Sequence, residues 1–370
     1  MHAVESILFF VGLDVRRKKN ASSFKSKLAY AYQKFIVPWF IAFTMRVITK
    51  LLSFHVVDIF NYKDRLIRKS FDVIVIVIWC VMMKRRKKIS LLMHYMEHLT
   101  QNFNGKIKSS WITFATITII AHYLIGSLTV ILPFREKFCE RILGSDIVGL
   151  ISVPAGQSCK IWYILGPIEF MPQHIFSNVI CIFYIIVCLF FRDLLITYSK
   201  VEFKKEQVDF IDFKDYLTAY ERIVLGLQKF ENVMSLPISI IVMNDCVGML
   251  FGFKSLDPFK KYSGTEWRRA LVWVNSFTSL RALISLLYVI LTATSVATAS
   301  KCAKNSQQVI LKRVHASTVQ EKTELLLFIK MHESPPLVLS AGDFFYFTRG
   351  LALTAIGSVL TYSLLIFQLI

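Results

Sequence analysis

Thr361-Tyr362-Ser363-Leu364-Leu365-Ile366-Phe367-Gln368-Leu369-Ile370 closes the sequence, and no charged side chain occurs from Leu351 onward. A helix rising 1.5 Å per residue needs about 20 apolar residues to cross a bilayer core, so 351–370 reads as one crossing. Spanning helices normally finish on charged or aromatic anchors. Here Gln368 stands within a turn of the last residue. In a helix, Thr361, Leu365, Gln368 and Leu369 lie on one stripe. Either Gln368 reaches up to the interface, or the stripe lines something wet that is repeated by symmetry around an axis.

The same chemistry recurs upstream. Of 370 residues, 55% are hydrophobic and 19% charged, with 31 Phe against 14 Gly, and the mean hydropathy is +0.52. Soluble domains carry about a quarter charged residues and fewer apolar ones. The apolar excess is blocked into runs, which predicts an all-α membrane protein. Seven transmembrane helices are predicted, near 37–60, 67–83, 111–134, 172–191, 232–253, 271–299 and 341–370. They form one domain over 37–370, preceded by a segment over 1–36. The second is short, and Arg68, Lys69 and Lys84 lengthen it by snorkelling. Two further stretches, 199–230 and 308–332, mix charge with apolar positions and read as amphipathic helices continuing outside the membrane.

The net charge of +19 is strung along loops. Arg16 to Lys19 and Lys84 to Lys88 each abut an apolar segment, the pattern of cytoplasmic flanks lying on anionic lipid. Nucleic acid, which needs a soluble basic surface, is not an expected partner. The seven cysteines lack metal-ligand spacing. Cys139 and Cys159 share one loop and could form a disulfide if that loop is extracellular. His94, Glu97 and His98 lack the order of a zinc-protease helix, and neither a phosphate loop nor a nucleophile elbow occurs. Neither enzyme activity nor a metal or cofactor is expected.

The C-terminal residues also carry a family likeness. Thr361-Tyr362, five mostly apolar residues and Gln368 resemble the terminal signature of insect gustatory receptors. Glu324 to Ile329, the break at Pro335-Pro336, Ser340-Ala341-Gly342-Asp343-Phe344-Phe345 and Arg349-Gly350-Leu351 are similar to the run that leads into that family's last helix. The likeness covers about 47 residues, and Leu369 stands where the family usually has Phe. It implies a subunit of a ligand-gated, non-selective cation channel, opened by a small-molecule tastant in the plasma membrane of sensory-neuron dendrites. Related subunits would complete a homotetramer or heterotetramer, with the amphipathic stretches forming a central anchor domain. It also implies a cytoplasmic N-terminus and an extracellular C-terminus. Charge agrees in sense: that orientation puts 27 Lys and Arg on the cytoplasmic side against 13 outside, although over longer segments. The lone sequon, Asn20-Ala21-Ser22, would then stay unmodified.

Charges within the spans are costly, on the order of 3 kcal/mol each on insertion scales. Asp245 in the fifth span and Arg281 in the sixth lie at similar depth below their outer ends. Neighbouring antiparallel helices would bring them together, so an ion pair beside an outward-facing cavity is expected. Around that depth stand His122, Tyr123 and Ser127 on the third span, His174 and Asn178 on the fourth, Asn244 on the fifth, and Trp273, Asn275 and Ser276 on the sixth. Aromatic walls with a few convergent polar groups suit a small-molecule pocket, while for any single member ordinary interhelical packing or interface anchoring is the readier account. The stripe Thr361, Leu365, Gln368 and Leu369 is the candidate pore and gate. Rings of Gln amides would contact a partly hydrated cation, and Leu rings could close by dewetting. Residues 335–342 and Gly357 are places where that last helix could bend.

Two rivals stay open. A G-protein-coupled receptor shares seven spans, yet Asp-Arg-Tyr after the third and Asn-Pro-x-x-Tyr in the seventh do not occur. A membrane enzyme or transporter would show a buried His-Asp pair or a broken-helix repeat, and neither is evident in the sequence.

Overall fold

The structure is a computed structural model that describes residues 36–45, 59–103, 109–131, 175–201, 208–255, 265–315, 318–332, 337–342 and 344–368, with a few single positions besides. It is almost entirely helical. In chain order the elements are α1 (Ile36–Met45), α2 (Ile59–Phe103), α3 (Ser109–Ile131), α4 (Phe176–Ser199), β1 (Val208–Asp209), α5 (Phe210–Ser255), α6 (Thr265–Leu311), β2 (Val314–His315), α7 (Val319–His332), β3 (Ser340–Ala341), β4 (Phe345–Tyr346) and α8 (Arg349–Gln368). Among the described residues α3, α4, α5 and α6 are long and apolar enough to cross a membrane, and α1 and α8 contribute shorter apolar stretches.

Length explains the layout. At 1.5 Å per residue, the 46 residues of α5 and 47 of α6 extend about 70 Å, twice a bilayer core. Each helix therefore serves as a span at one end and a projecting arm at the other. α4 lies at the centre. Apolar over most of its surface, it buries Phe183, Ile186, Val187, Phe190, Phe191 and Leu194 in the core it shares with α5 and α6. α3 is peripheral: its apolar window is only 17% buried, and Phe114, Ile117, Ile120 and Leu124 face outward. That is how a lipid-facing helix reads, because hydrocarbon does not drive it off the surface as water would.

Several threonine hydroxyls of α6 are satisfied within their own helix. Thr292, Thr294 and Thr298 donate to the carbonyls of Tyr288, Ile290 and Thr294 at 2.7, 2.9 and 3.0 Å, the usual solution where no water is available. Rings and small residues fix the contacts between helices. Phe40 of α1 stacks on Trp79 of α2 at 4.9 Å and meets Phe176 of α4 edge-on at 5.4 Å. Arg192 of α4 lies over the Trp111 ring of α3 at 5.9 Å. Gly252 of α5 lies so close to α6 that a Cβ would overlap the Ser279 hydroxyl, which itself donates to the Gly248 carbonyl at 3.1 Å. Spacing small residues by four lets two helices approach to near backbone contact.

The projecting arms depart from expectation in detail. The stretch 199–230 is not one helix: α4 ends at Ser199, β1 follows, and α5 starts at Phe210. The stretch 308–332 breaks likewise, because β2 pairs in parallel with β1, placing Val208 opposite Val314 and Asp209 opposite His315. α7 then restarts on a capping box. The Glu321 N–H donates to Thr318 Oγ1, and the Thr318 N–H donates to Glu321 Oε2, each at 3.2 Å. The last helix also opens later than position 341, at Arg349. Ahead of it β3 and β4 form an antiparallel pair, Ser340 opposite Tyr346, whose turn holds Gly342 at φ 60°. That left-handed conformation suits glycine. Pro335 and Pro336 lie outside the described residues.

Candidate functional site

Two places carry the residues singled out in the sequence. The first is a buried polar cluster where α4, α5 and α6 meet. Arg281 of α6 donates from Nη2 to Asp245 Oδ1 of α5 at 2.8 Å and from Nη1 to Asn178 Oδ1 of α4 at 3.1 Å. The Arg281 and Asp245 side chains are 7% and 1% exposed. Depth-matching on antiparallel helices anticipated this pair; Asn178 as third partner follows only from the packing. An ion pair held this far from water is weak evidence of net stability, because desolvation offsets most of the attraction. Its geometry is specific all the same, and it ties three helices at one level.

Further members gather around it. His122 of α3 stacks on Phe277 of α6, with ring centres 5.0 Å apart and 25° between planes. Ser127, Asn244 and Asn275 are buried, while Tyr123 and Ser276 are half-buried. Asn244 Oδ1, Asp245 Oδ2 and Arg281 Nε are buried without a hydrogen-bond partner among the described residues, so the cluster retains both donor and acceptor capacity. Trp273 does not join the interior: it is 67% exposed on the subunit surface. His174, Cys139 and Cys159 lie outside the described residues. Two neighbours escaped sequence reading. Cys181 and Ser285 hydrogen-bond to each other at 3.2 Å beside the cluster. Their signal was present, since Ser285 follows Arg281 by four residues and Cys181 follows Asn178 by three, each on the same helix face.

The second place is α8. One side packs inward, with Val359 buried. The other carries Leu353, Thr354, Gly357, Ser358, Leu360 and Thr361, all exposed. A Cβ on Gly357 would meet nothing within 4 Å. The Thr361 hydroxyl donates back to the Gly357 carbonyl at 2.8 Å, leaving its methyl group outward. Tyr362, Leu365 and Gln368 continue the helix without described side chains, and Leu369 lies outside the described residues. α8 thus presents a small, mixed face away from its own subunit, which differs from the large aliphatic and aromatic surface of α3.

The comparisons with known proteins agree with this organisation. Residues 270–370 match a family model described as trehalose receptor. None of the curated protein sequences matches. Among solved structures, the insect olfactory receptor OR5 from Machilis hrabei is similar in fold, with a TM-score of 0.73 at 13% identity, covering 100% of this chain and 97% of the receptor. The same receptor in complex with eugenol is similar at a TM-score of 0.69, again at 13% identity and with coverage of 100% and 97%. The chain is thus similar to the trehalose-receptor family over its C-terminal residues, 270–370, and to an insect olfactory receptor in fold along its whole length.

Proposed function

We propose that this chain is a gustatory-type receptor subunit acting as a ligand-gated, non-selective cation channel. The observation that carries the proposal is the outward face of α8, where small and hydroxyl-bearing residues stand exposed in the isolated subunit. A single bundle packed around α4 has no room for a wide ion path. Four copies presenting Thr361, Leu365, Gln368 and Leu369 to a common axis would build one. No carboxylate lies on that stripe, so discrimination among cations would be weak. In this reading the chain crosses the plasma membrane seven times, with its N-terminus cytoplasmic and its C-terminus extracellular. The arms of α5 and α6, with α7, meet those of neighbouring subunits below the membrane.

The ligand would be a small molecule received around Asn178, Asp245 and Arg281, with the His122–Phe277 stack as one wall. Open donors and acceptors at this level favour a compound bearing hydroxyl groups. The family name trehalose receptor and the eugenol complex of the structural relative both supply hydroxylated probes. Occupation would favour whichever conformer binds more tightly and thereby shift a closed–open equilibrium.

The test is whole-cell current from cells expressing the chain alone and with related subunits, during application of trehalose and eugenol. Gln368→Ala and Leu369→Ala should alter ion selectivity or resting leak. Evoked currents that both substitutions leave unchanged would remove α8 from the pore.

A further inference from the structure

Helix α5 carries Pro237 in its interior. A proline has no N–H, so the carbonyl four residues earlier, that of Val233, loses its helical partner. A carbonyl so freed needs another donor or water. Here the donor comes from a different helix: Arg85 of α2 directs Nη1 at the Val233 oxygen at 2.7 Å and at the Asn232 oxygen at 2.9 Å. One guanidinium nitrogen thus reaches both the freed Val233 carbonyl and the neighbouring Asn232 carbonyl.

The same turn grips the segment that leads into α8. Glu231 Oε1 accepts from the Ser340 N–H at 2.8 Å and from the Ser340 hydroxyl at 2.6 Å. Ser235 Oγ accepts from the Gly342 N–H at 2.6 Å. Gly342 is pressed so closely here that a Cβ would come within 3.3 Å of Ser239 Cβ. Just after the hairpin, Phe347 is buried beside the Tyr184 ring, and α8 begins at Arg349. On the other side of the proline, Asp245 lies eight residues further along α5, about 12 Å away, bound to Arg281.

One helix therefore holds the buried polar cluster beyond a proline break and, before that break, the foot of the last helix. We propose that Arg85 and Glu231 are positioning residues of the gate. Arg85 holds the Pro237 break while allowing it to bend, because a side-chain donor can follow carbonyls that a fixed backbone N–H cannot. Glu231 makes the hairpin, and with it α8, follow α5. The proposal rests on the channel reading given above, in which α8 lines the pore.

The test uses the full chain in cells, with surface density measured and with resting current and responses to trehalose and eugenol recorded. Arg85→Met should change the evoked maximum or the resting current by about fivefold or more at equal surface density, the lower end of typical coupling energies. In a Pro237→Ala background the residue-237 N–H can again reach the Val233 oxygen, and adding Arg85→Met should then change the current by less than about twofold. An undiminished Arg85→Met effect in that background, or no effect in the native one, overturns the role of Arg85.

The hairpin is tested reversibly, which removes folding from the question. A Glu231→Cys/Ser340→Cys double variant is oxidised and then reduced in the same cell, beside the native chain under the same treatment. Current that changes on oxidation and returns on reduction supports the proposal. A cross-link demonstrated biochemically that leaves the current unchanged overturns it. Native protein at the surface that conducts neither at rest nor with any probe or co-subunit overturns the channel reading, and this proposal with it. That result is distinct from a conducting native channel whose variants behave like it.

Discussion

Removing one partner of the Arg281–Asp245 pair leaves a charge stranded between three helices. With Asp245→Asn, Arg281 keeps its bond to Asn178 at 3.1 Å but loses the only carboxylate bound to it among the described residues, in a setting where its side chain is 7% exposed. Breaking buried pairs in this way costs about 3–5 kcal/mol, and an unpaired charge deep in a span costs about 3 kcal/mol on insertion scales. Asp245→Asn should therefore destabilise the protein by about 3 kcal/mol, a large part of a typical 5–15 kcal/mol stability. Arg281→Gln should cost less, because a stranded carboxylate can take up a proton and become neutral. The double variant Asp245→Asn/Arg281→Gln leaves two neutral amides able to hydrogen-bond, and it should recover most of the loss. Thermal melting of the detergent-purified protein, beside the surface-expressed fraction in cells, measures each step. Losses that simply add in the double variant would refute the reasoning, since the pair would then contribute no coupling. Singles that melt like the native chain would refute it more directly.

Two further predictions concern how the helices are held. Gly252→Ala puts a methyl group on the Ser279 hydroxyl and within 3.0 Å of the Asn275 carbonyl oxygen. α5 and α6 must then separate, and a cost of about 1–3 kcal/mol, typical of overpacking, should appear as a lower melting temperature. Thr318→Ala removes half of the capping box on α7, worth about 1 kcal/mol. Because Thr318 is exposed, the effect should be confined to faster amide exchange over 319–323 at little cost to the overall melting temperature.

Apolar runs near 20 residues, separated by charged stretches, were enough to specify a helical membrane protein, because within lipid the helix satisfies every backbone group it carries. Equal depth on antiparallel helices brought Asp245 toward Arg281 before any packing was known. The Thr318-Val319-Gln320-Glu321 capping box lies inside the stretch 308–332 that was expected as one helix, and the structure shows it opening α7. Residues that meet across helices are harder to read, since side-chain identity says little about which neighbour lies 3 Å away. Asn178 becoming the third partner of Arg281, Trp273 standing on the surface rather than in the cluster, and Gly252 admitting Ser279 all depend on helix rotation and crossing. Propensity does not fix either of those. The same holds at Pro237, where the sequence announces a missing donor. Only the placement of α2 beside α5 supplies Arg85 to replace it, and only the fold of 340–346 sets the hairpin on the very turn that the proline opens.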